Sequence, residues 1–247
     1  MEELTLIKNR FNDLASRSYD RGIYTYSEFL TMAEQSELKK MHLPVKCSLF
    51  GGYDSAERCI AVFGSEDEFG YECSPPVVFI RIAPVQMKFA DDLTHRDFLG
   101  SLMALGIKRE MLGDIIIKDN RAFLICMESI AEYIISQLDK VRHTSVVCEI
   151  SDVLPENVLP EFECQEIIVA SERIDVLISA VYNLSRNESQ KRIESETVFC
   201  NSIMINSTSF VPQAGSIISV RGCGRFIVES VLRTTKKGRL VVAIKKY

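Results

Sequence analysis

Apolar residues in the last third of the chain recur first with a helical period and then with a strand period. Four of them lie at i, i+3, i+4 and i+7 and predict an amphipathic helix: Ile174, Leu177, Ile178 and Val181. Ser185 with Glu188 three residues later forms a capping-box pattern, which predicts a second helix to about Ser195. Because only residues 183 and 184 separate the two patterns, the sequence predicts a tight helix-turn-helix.

Short apolar runs follow the two predicted helices. Residues 198–201 and 217–220 have the length and composition of strands, and Gly215 supplies a turn before the second run. The last third of the chain is therefore predicted to be a small domain in which two helices precede the strands.

The middle of the chain alternates strand and helix patterns. The predicted order is strand, helix, strand, strand, helix, strand, at residues 77–82, 94–105, 115–118, 122–126, 128–138 and 145–150. This order is the ferredoxin-like plan, which RNA-recognition modules share. Those modules stack bases on aromatic residues of the two central strands, and the sequence offers only Phe79 and Phe123 there. Base stacking on an open sheet is therefore the weaker hypothesis for this region.

The first 74 residues mix helix and strand signals. Residues 1–43 are predicted to be helical, with Thr25 and Glu28 capping a second helix. Two strands are predicted on either side of a glycine pair, at residues 45–50 and 58–63. The acidic run 66–68 is predicted to be an exposed loop, because such a run is more often a solvated turn than a metal site.

These patterns together predict an α+β protein. Its 247 residues allow two or three small domains with cores of their own. Proline residues mark the boundaries, namely Pro75-Pro76 for the first and Pro155 and Pro160 for a linker. The predicted parts are an N-terminal α+β domain at residues 1–74, a ferredoxin-like (RRM-like) domain at 75–152, a linker at 153–170 and a C-terminal domain at 171–247.

Charge is distributed unevenly along the chain, although the whole protein carries a net charge of −5. Residues 171–247 hold 12 Lys+Arg against 6 Asp+Glu, whereas residues 1–170 hold 17 against 28. A basic last third on an acidic protein is typical of a nucleic-acid contact. An ordinary solvated face is the alternative that charge alone leaves open.

The cations of the predicted helix pair are placed for phosphate binding. Arg173, Arg186 and Gln190 are expected near the turn between the helices, and Lys191 and Arg192 one turn further on. Guanidinium groups bind phosphate oxygens in a bidentate manner, and helix N-termini add N–H donors at the same place.

The stretch from residue 172 to 224 resembles the S4-type RNA-binding domain. Matching features are Arg173-x-Asp175 and Ser185-Arg186 at the two helix starts, Asn201 after the first strand, and Gly215, Ile217, Val220 and Arg221 in the last strand. The resemblance implies that the helices and the following strand bind the RNA backbone. The resemblance assigns this role to Arg173, Ser185, Arg186, Lys191, Arg192 and Asn201. Gln190 and Arg221 complete the predicted RNA-binding set. Asp175 is expected instead to pair with a neighbour and hold the helix.

Two departures from the S4 pattern concern the strand rather than the helices. Residues 195–197 stand where the family has a glycine turn, and Phe199 occupies a position that is usually basic. The helices are therefore expected to carry more of the RNA contact than the strand.

The most distinctive stretch of the middle region runs from Leu93 to Ile115. Thr94 is expected to cap a helix with Asp97 at its third position, and Gly106 to follow the helix end. Short turns are predicted to begin at residues 108–109 and 113–114. The residues expected to reach outward to RNA or to the ribosome are His95, Arg96, Lys108 and Arg109.

Residues 94–117, followed by the S4-type stretch, resemble the YlmH family of bacterial S4-domain proteins. The resemblance rests on three sequence motifs, from His95 to Gly100, from Leu105 to Glu110 and at residues 113–115. It implies binding to rRNA and tRNA on the large ribosomal subunit, in the rescue or quality control of stalled nascent chains. An older association of the family is with cell division.

The sequence favours a binding protein without enzymatic activity, cofactor, metal or small-molecule substrate. It holds no Walker A loop and no G-x-G-x-x-G after a predicted strand, and Gly222-Cys223-Gly224 is typical of a turn. His95, Asp97 and Ser101 do not form a triad, because such positions on one helix do not converge. Two alternatives remain: an RNA-modifying enzyme with an appended S4-type domain, and a cell-division scaffold that binds through the acidic region.

Cysteine spacing and hydropathy limit where the protein is expected to act. Eight cysteines are scattered without a C-x-x-C pair, which favours buried free thiols over a zinc site or a disulfide framework. The sequence has no run of 18 apolar residues and no signal-peptide pattern. We therefore expect a soluble cytoplasmic protein with no membrane partner.

Overall fold

The computed structural model describes residues 2–151, 153–155, 158–159 and 161–247. The chain divides into two compact units, residues 1–159 and residues 160–247. Both units mix helices with antiparallel sheets, so the α+β class predicted from the sequence is confirmed. The finer division of the first unit into domains at 1–74 and 75–152 stays a prediction.

The first part of the N-terminal unit is a helix-and-sheet layer. Its elements are α1 Glu2–Arg21, β1 Thr25–Leu30, α2 Met32–Leu38, β2 Cys47–Phe50, β3 Cys59–Phe63 and α3 Glu66–Phe69. The strands form an antiparallel sheet in the order β1-β3-β2. Phe11 and Ala15 of α1 pack with Leu38 of α2 and with Ala61 and Phe63 of β3 in one apolar core.

Two predictions for this layer are wrong. Thr25 and Glu28 do not cap a helix, because residues 25–30 form β1 and pair with β3, which buries Phe29. The capping box lies further on, where the Thr31 side chain accepts from the Glu34 amide and the Glu34 carboxylate accepts from Thr31. The acidic run 66–68 is not a loop but the start of the short helix α3.

The second part of the N-terminal unit follows the strand and helix order that the sequence predicts, with one additional two-residue strand before the last. Its elements are β4 Val77–Pro84, α4 His95–Ala104, β5 Leu112–Lys118, β6 Arg121–Met127, α5 Ala131–Gln137, β7 Lys140–Val141 and β8 Thr144–Ser151. Antiparallel pairing gives the sheet order β5-β6-β4-β8-β7. Phe98 and Leu102 of α4 and Ile134 of α5 are fully buried against the sheet residues Ile80 and Leu124.

Local turn predictions in this part are confirmed with one exception. The sequence predicts a hairpin across Asp119-Asn120, and these residues have φ values of 50° and 56° in the β5–β6 turn. Gly106 has a φ of 80° after α4. A short 3-10 turn occupies Arg109–Met111, as predicted. The turn predicted at residues 113–114 is wrong, because both residues lie within β5.

The sheet residues on the side away from α4 and α5 contact the preceding layer. Ile125 of β6 is fully buried in a cluster with Phe29 and Ile60, and Phe79 of β4 packs against the same cluster. An ideal Cβ on Gly52 would lie 2.7 Å from the Phe79 ring, so the backbone of the preceding loop runs directly over it.

The C-terminal unit joins a helix pair to an antiparallel sheet. Its elements are β9 Glu163–Val169, α6 Ile174–Tyr182, α7 Arg186–Glu194, β10 Val198–Cys200, β11 Ile203–Met204, β12 Ser216–Val220, β13 Gly224–Thr234 and β14 Leu240–Lys246. The sheet order is β11-β10-β12-β13-β14-β9. Leu177 and Ile193 of the helices are fully buried in one core with Ile218, Phe226 and Val242 of the strands.

Residues 163–169, inside the predicted linker, form β9 and pair with β14 along their whole length. Residues 156, 157 and 160 of that predicted linker lie outside the described part of the chain, as does Asp152 at the end of the predicted middle domain.

Candidate nucleic-acid interface

The turn between α6 and α7 sets the geometry of the predicted RNA-binding surface. Asn183 ends α6 in the left-handed region with a φ of 52°. The Ser179 hydroxyl donates to the Leu184 carbonyl at 2.6 Å, and the Leu184 amide donates back to the Ser179 carbonyl. This closed turn places Arg186, the first residue of α7, within side-chain reach of Asp175 near the start of α6. The tight helix-turn-helix prediction is confirmed.

Asp175 ties the two helix starts together. Its carboxylate is fully buried and accepts from Nε and Nη2 of Arg173, each at 3.0 Å. Nε of Arg186, which opens α7, lies 3.7 Å from the same carboxylate. One buried anion thus holds two cations whose side chains are 35% and 64% exposed. The prediction that Asp175 pairs with a neighbour is confirmed.

A capping box fixes the first turn of α7. The Ser185 amide donates to the Glu188 carboxylate at 2.8 Å, and the Glu188 amide donates to the Ser185 hydroxyl at 3.2 Å. These hydrogen bonds from Ser185 lower the pKa of Glu188 below its ordinary value. The Ser185 hydroxyl is therefore engaged inside the protein, while its residue remains exposed beside Arg186.

A second group of predicted contact residues gathers at the other end of α7. Nη1 of Arg192 donates to the Arg221 carbonyl at 3.1 Å, and the Arg221 guanidinium lies 4.8 Å from the centre of the Phe199 ring. Phe199, which departs from the S4 pattern, thus stacks on a cation instead of carrying one. Lys191 is exposed and Gln190 half-buried on the same helix. Since Arg192 follows Arg186 by six residues, about 9 Å along the helix axis separates this group from Arg186.

Asn201 belongs to the strand framework of the sheet. It has a φ of 49°, and its side-chain oxygen accepts from the Ile217 amide at 2.9 Å. Its own amide donates to the Ile217 carbonyl, also at 2.9 Å. The residue therefore closes the end of β10 onto β12.

The four residues predicted as a second contact differ in their surroundings. His95 and Arg96 are exposed in the first turn of α4, and Lys108 is exposed beyond its end. Arg109 is half-buried, and its Nη1 donates to the Leu112 carbonyl at 2.6 Å and to the Gly113 carbonyl at 3.2 Å. Burial lowers the pKa of Arg109 to about 10, and the charge of Arg58 adds to the effect.

The sheet of the N-terminal unit offers little aromatic surface for base stacking. Phe123 is only 6% exposed, and Phe79 lies beneath the loop that contains Gly52. This burial agrees with the sequence analysis, in which base stacking on an open sheet is the weaker hypothesis.

Several basic residues outside the predicted set lie on the long β13–β14 hairpin. Arg233 pairs with Glu166 at 2.8 Å, and Lys245 pairs with Glu229 at 2.5 Å. Lys236, Lys237 and Arg239 are exposed in the turn. Motif reasoning missed them because they match no spacing, although they contribute to the basic count of residues 171–247 that signals a nucleic-acid contact.

The positions of cysteines and carboxylates bear on whether the protein has a disulfide framework or a metal site. All eight cysteines are free thiols, and burial raises the pKa of Cys126 to about 12. Over the described ranges, no cluster of three or more His, Cys, Asp or Glu side chains is arranged to hold a metal ion. No helix in the described part of the chain is both long and apolar enough to cross a bilayer.

Comparisons with known proteins found a family model, a relative and a solved structure that are similar to this chain. The family model described as "Putative RNA-binding domain in YlmH" matches residues 78–154. Ribosome-associated protein quality control protein P2 of Bacillus subtilis (strain 168) is 27% identical over 226 residues, which cover 89% of this chain and 86% of that protein. The solved cell division protein ylmH from Streptococcus pneumoniae is 20% identical with a TM-score of 0.49, covering 60% of this chain and 91% of that one.

The fold and the cation-bearing helix pair define a mixed α+β protein with a basic helix-turn-helix in its C-terminal unit. Within that class, residues 78–154 are similar to the RNA-binding domain described for YlmH. Most of the chain is similar to the Bacillus subtilis quality control protein.

Proposed function

We propose that this protein binds RNA on the ribosome, with contacts to rRNA and tRNA on the large subunit. The observation that carries the proposal is the burial of Asp175 beneath Arg173 and Arg186. The name of the Bacillus subtilis relative supports association with the ribosome and a role in protein quality control, here the rescue of stalled nascent chains. The description of the matching family model supports RNA binding.

Phosphate recognition follows from the geometry of the two arginines. A guanidinium group presents several N–H donors in one plane, and Asp175 occupies only part of that capacity. Anchoring also restricts the rotamers of both side chains before RNA binds, which lowers the entropy lost on binding. Lys191, Arg192 and Arg221 extend the positive surface toward the far end of α7.

We also propose finer structural assignments. Residues 171–247 are an S4-type RNA-binding domain, which the helix-turn-helix and its Asp175–arginine contacts support. Residues 75–152 are a ferredoxin-like (RRM-like) domain, supported by the strand order β5-β6-β4-β8. Residues 1–74 are a separate N-terminal α+β domain in this proposal. A second RNA or ribosome contact lies at His95, Arg96 and Lys108, with Arg109 holding the adjoining backbone.

The proposed role is binding rather than catalysis. It takes place in the cytoplasm, where ribosomes lie, and it uses no cofactor, metal or small-molecule substrate. The names of the matching family model and of the quality control relative refer to RNA and to the ribosome, which supports this choice.

Sedimentation of a cell lysate through a sucrose gradient tests the proposal. Wild-type protein is expected to travel with the large ribosomal subunit, and Arg173→Ala/Arg186→Ala to remain at the top. Arg17→Ala/Arg21→Ala is the matched control, because it removes the same charge from exposed positions on α1. If wild type also stays at the top, the ribosomal partner is wrong. If both double variants sediment like wild type, the helix pair is not the contact surface.

A further inference from the structure

The turn of the β13–β14 hairpin carries a concentrated positive charge. Four of the seven residues from 233 to 239 are basic, and no acidic residue occurs between residue 230 and the last residue of the sequence, Tyr247. Within the described part of this unit, carboxylates pair with other cations, including Arg173, Arg186, Arg233 and Lys245. The cations of the turn itself are exposed: Lys236, Lys237 and Arg239.

Backbone hydrogen bonds give the turn a defined shape. The Thr235 amide donates to the Arg239 carbonyl at 2.7 Å, and the Gly238 amide donates to the Thr235 carbonyl at 2.9 Å. The Thr235 hydroxyl accepts from the Arg239 amide at 3.0 Å, and Gly238 has a φ of 75°. Three cations are therefore presented on a closed turn rather than on a loose loop.

Topology places this turn at the same end of the sheet as the α6 start. Leu240, directly after the turn, pairs with Val169 at the end of β9. Only four residues lead from Val169 to Arg173, and they span at most about 14 Å. Paired strands lie about 5 Å apart, so the Cα atoms of Leu240 and Arg173 are within about 20 Å.

We propose that Lys236, Lys237 and Arg239 form a second phosphate-binding element, which binds the backbone of the same RNA that Arg173 and Arg186 hold. This inference rests on the proposed function and extends it to residues outside the S4-type pattern. The ligand chemistry is the phosphate backbone of a structured RNA, because exposed lysines act as point charges and select no base. The two elements together grip a segment a few nucleotides long.

The salt dependence of RNA affinity distinguishes direct contacts with phosphates from long-range electrostatic attraction. Each neutralised phosphate contributes roughly 0.7–0.9 to the slope of log affinity against log salt concentration. If all three hairpin cations bind phosphates, their removal lowers that slope by about 2–3. Cations farther from the RNA than the Debye length, about 10 Å at 0.1 M salt, leave the slope nearly unchanged.

The test measures binding of the full chain to a fluorescent RNA stem-loop by anisotropy, in potassium chloride from low to moderate concentration. Lys236→Ala/Lys237→Ala/Arg239→Ala is expected to show the reduced slope. Arg17→Ala/Arg21→Ala/Lys39→Ala removes the same charge from exposed positions in the other unit, and it is expected to keep the wild-type slope. Lys236→Arg/Lys237→Arg/Arg239→Lys keeps the charge and is expected to bind like wild type.

The outcomes distinguish failure of this inference from failure of the proposed function. A wild-type slope in the hairpin triple variant, alongside weakened binding by Arg173→Ala/Arg186→Ala, overturns the hairpin element alone. If the wild-type protein binds no RNA stem-loop, both the inference and the proposed function fall. A further outcome is that the triple variant loses binding to vesicles of phosphatidylglycerol while its slope of log RNA affinity against log salt concentration is unchanged. In that case the hairpin binds a lipid surface, and the inference is overturned.

Discussion

Asp175 shows how one side chain can serve both the stability and the binding surface of the C-terminal unit. A buried carboxylate is costly unless its charge is compensated, and here Arg173 and Arg186 supply that compensation from two different helices. The same contacts hold both guanidinium groups at the surface in fixed positions. Under the proposed function, stability and RNA affinity should therefore be coupled through this residue.

Replacement of the buried anion tests that coupling at the residue scale. We expect Asp175→Asn to destabilise the C-terminal unit by about 1.5–3 kcal/mol, the usual contribution of hydrogen bonds to charged groups. RNA affinity should fall as well, because Arg173 and Arg186 lose their common anchor. Urea unfolding followed by NMR signals of α6 measures the stability, and anisotropy measures the affinity.

Arg186→Ala provides the comparison for that variant. It removes a phosphate donor but leaves Asp175 paired with Arg173 through two hydrogen bonds. Its far-UV spectrum should match wild type while its RNA affinity falls. An Asp175→Asn protein with unchanged stability would show that the buried anion does not hold the helix pair.

At the scale of elements, capping boxes begin α2, α4 and α7. In α7 the hydrogen bonds from Ser185 lower the pKa of Glu188 from its ordinary 4.5. A carboxyl group whose pKa is lower in the folded state stabilises that state above its unfolded pKa. The contribution is lost as the pH falls through the folded pKa. The capping box should therefore stabilise α7 at neutral pH, and this stabilisation should be lost in acid.

Glu188→Gln tests this pH dependence. At pH 7 the variant should show faster amide exchange in the first turn of α7 than wild type, because an amide side chain makes weaker capping contacts than a carboxylate. The difference should shrink as the pH falls through the lowered pKa of folded Glu188, where the wild-type side chain also becomes neutral. Amide exchange of both proteins at matched pH is the measurement. A difference that persists in acid would contradict the electrostatic origin.

The same motif explains where prediction from the sequence succeeds and where it fails. Ser185 with Glu188 and Thr94 with Asp97 predict real caps. The helices that follow bury Ser189 and Ile193 in α7, and Phe98 and Leu102 in α4. Thr25 with Glu28 has the same spacing, but it lies in β1. There the backbone of residues 25–30 pairs with β3, and alternation buries Phe29. Local spacing cannot reveal a strand partner that lies 30 residues away.

The candidate site was predictable to a similar extent. Arg173, Ser185 and Arg186 come together because short-range helix and turn signals place them. The hairpin cations 236–239 come near Arg173 only through the pairing of Leu240 with Val169, and that pairing leaves no local sequence signal.

At the scale of the whole molecule, the two units differ in charge. Residues 160–247 hold 12 Lys+Arg against 9 Asp+Glu, and residues 1–159 hold 17 against 25. Like charges repel, so the acidic unit should reduce unspecific attraction of the protein to RNA phosphates. Specific binding would then depend on the fixed arginines rather than on net charge.

Removal of the acidic unit tests this expectation. A fragment of residues 160–247 should bind RNA of random sequence more tightly than the full chain at low salt. The gain should disappear at high salt, where exposed charges are screened. Filter binding over a salt series measures it, with a far-UV spectrum to verify that the fragment is folded. Equal affinities at low salt would show that the acidic unit does not restrain RNA binding.

The packing between the two layers of the N-terminal unit has a consequence for how this sequence can change. An ideal Cβ on Gly52 would lie 2.7 Å from the Phe79 ring, and one on Gly113 would lie 2.7 Å from the Phe29 ring. Each aromatic ring therefore fills the space that a side chain at its glycine would need. At Gly113 a larger residue becomes tolerable only after the Phe29 ring has become smaller, so this pair should change together in related sequences. At Gly52 the φ of 87° keeps any side chain strained even beside a smaller ring, so glycine should be retained there.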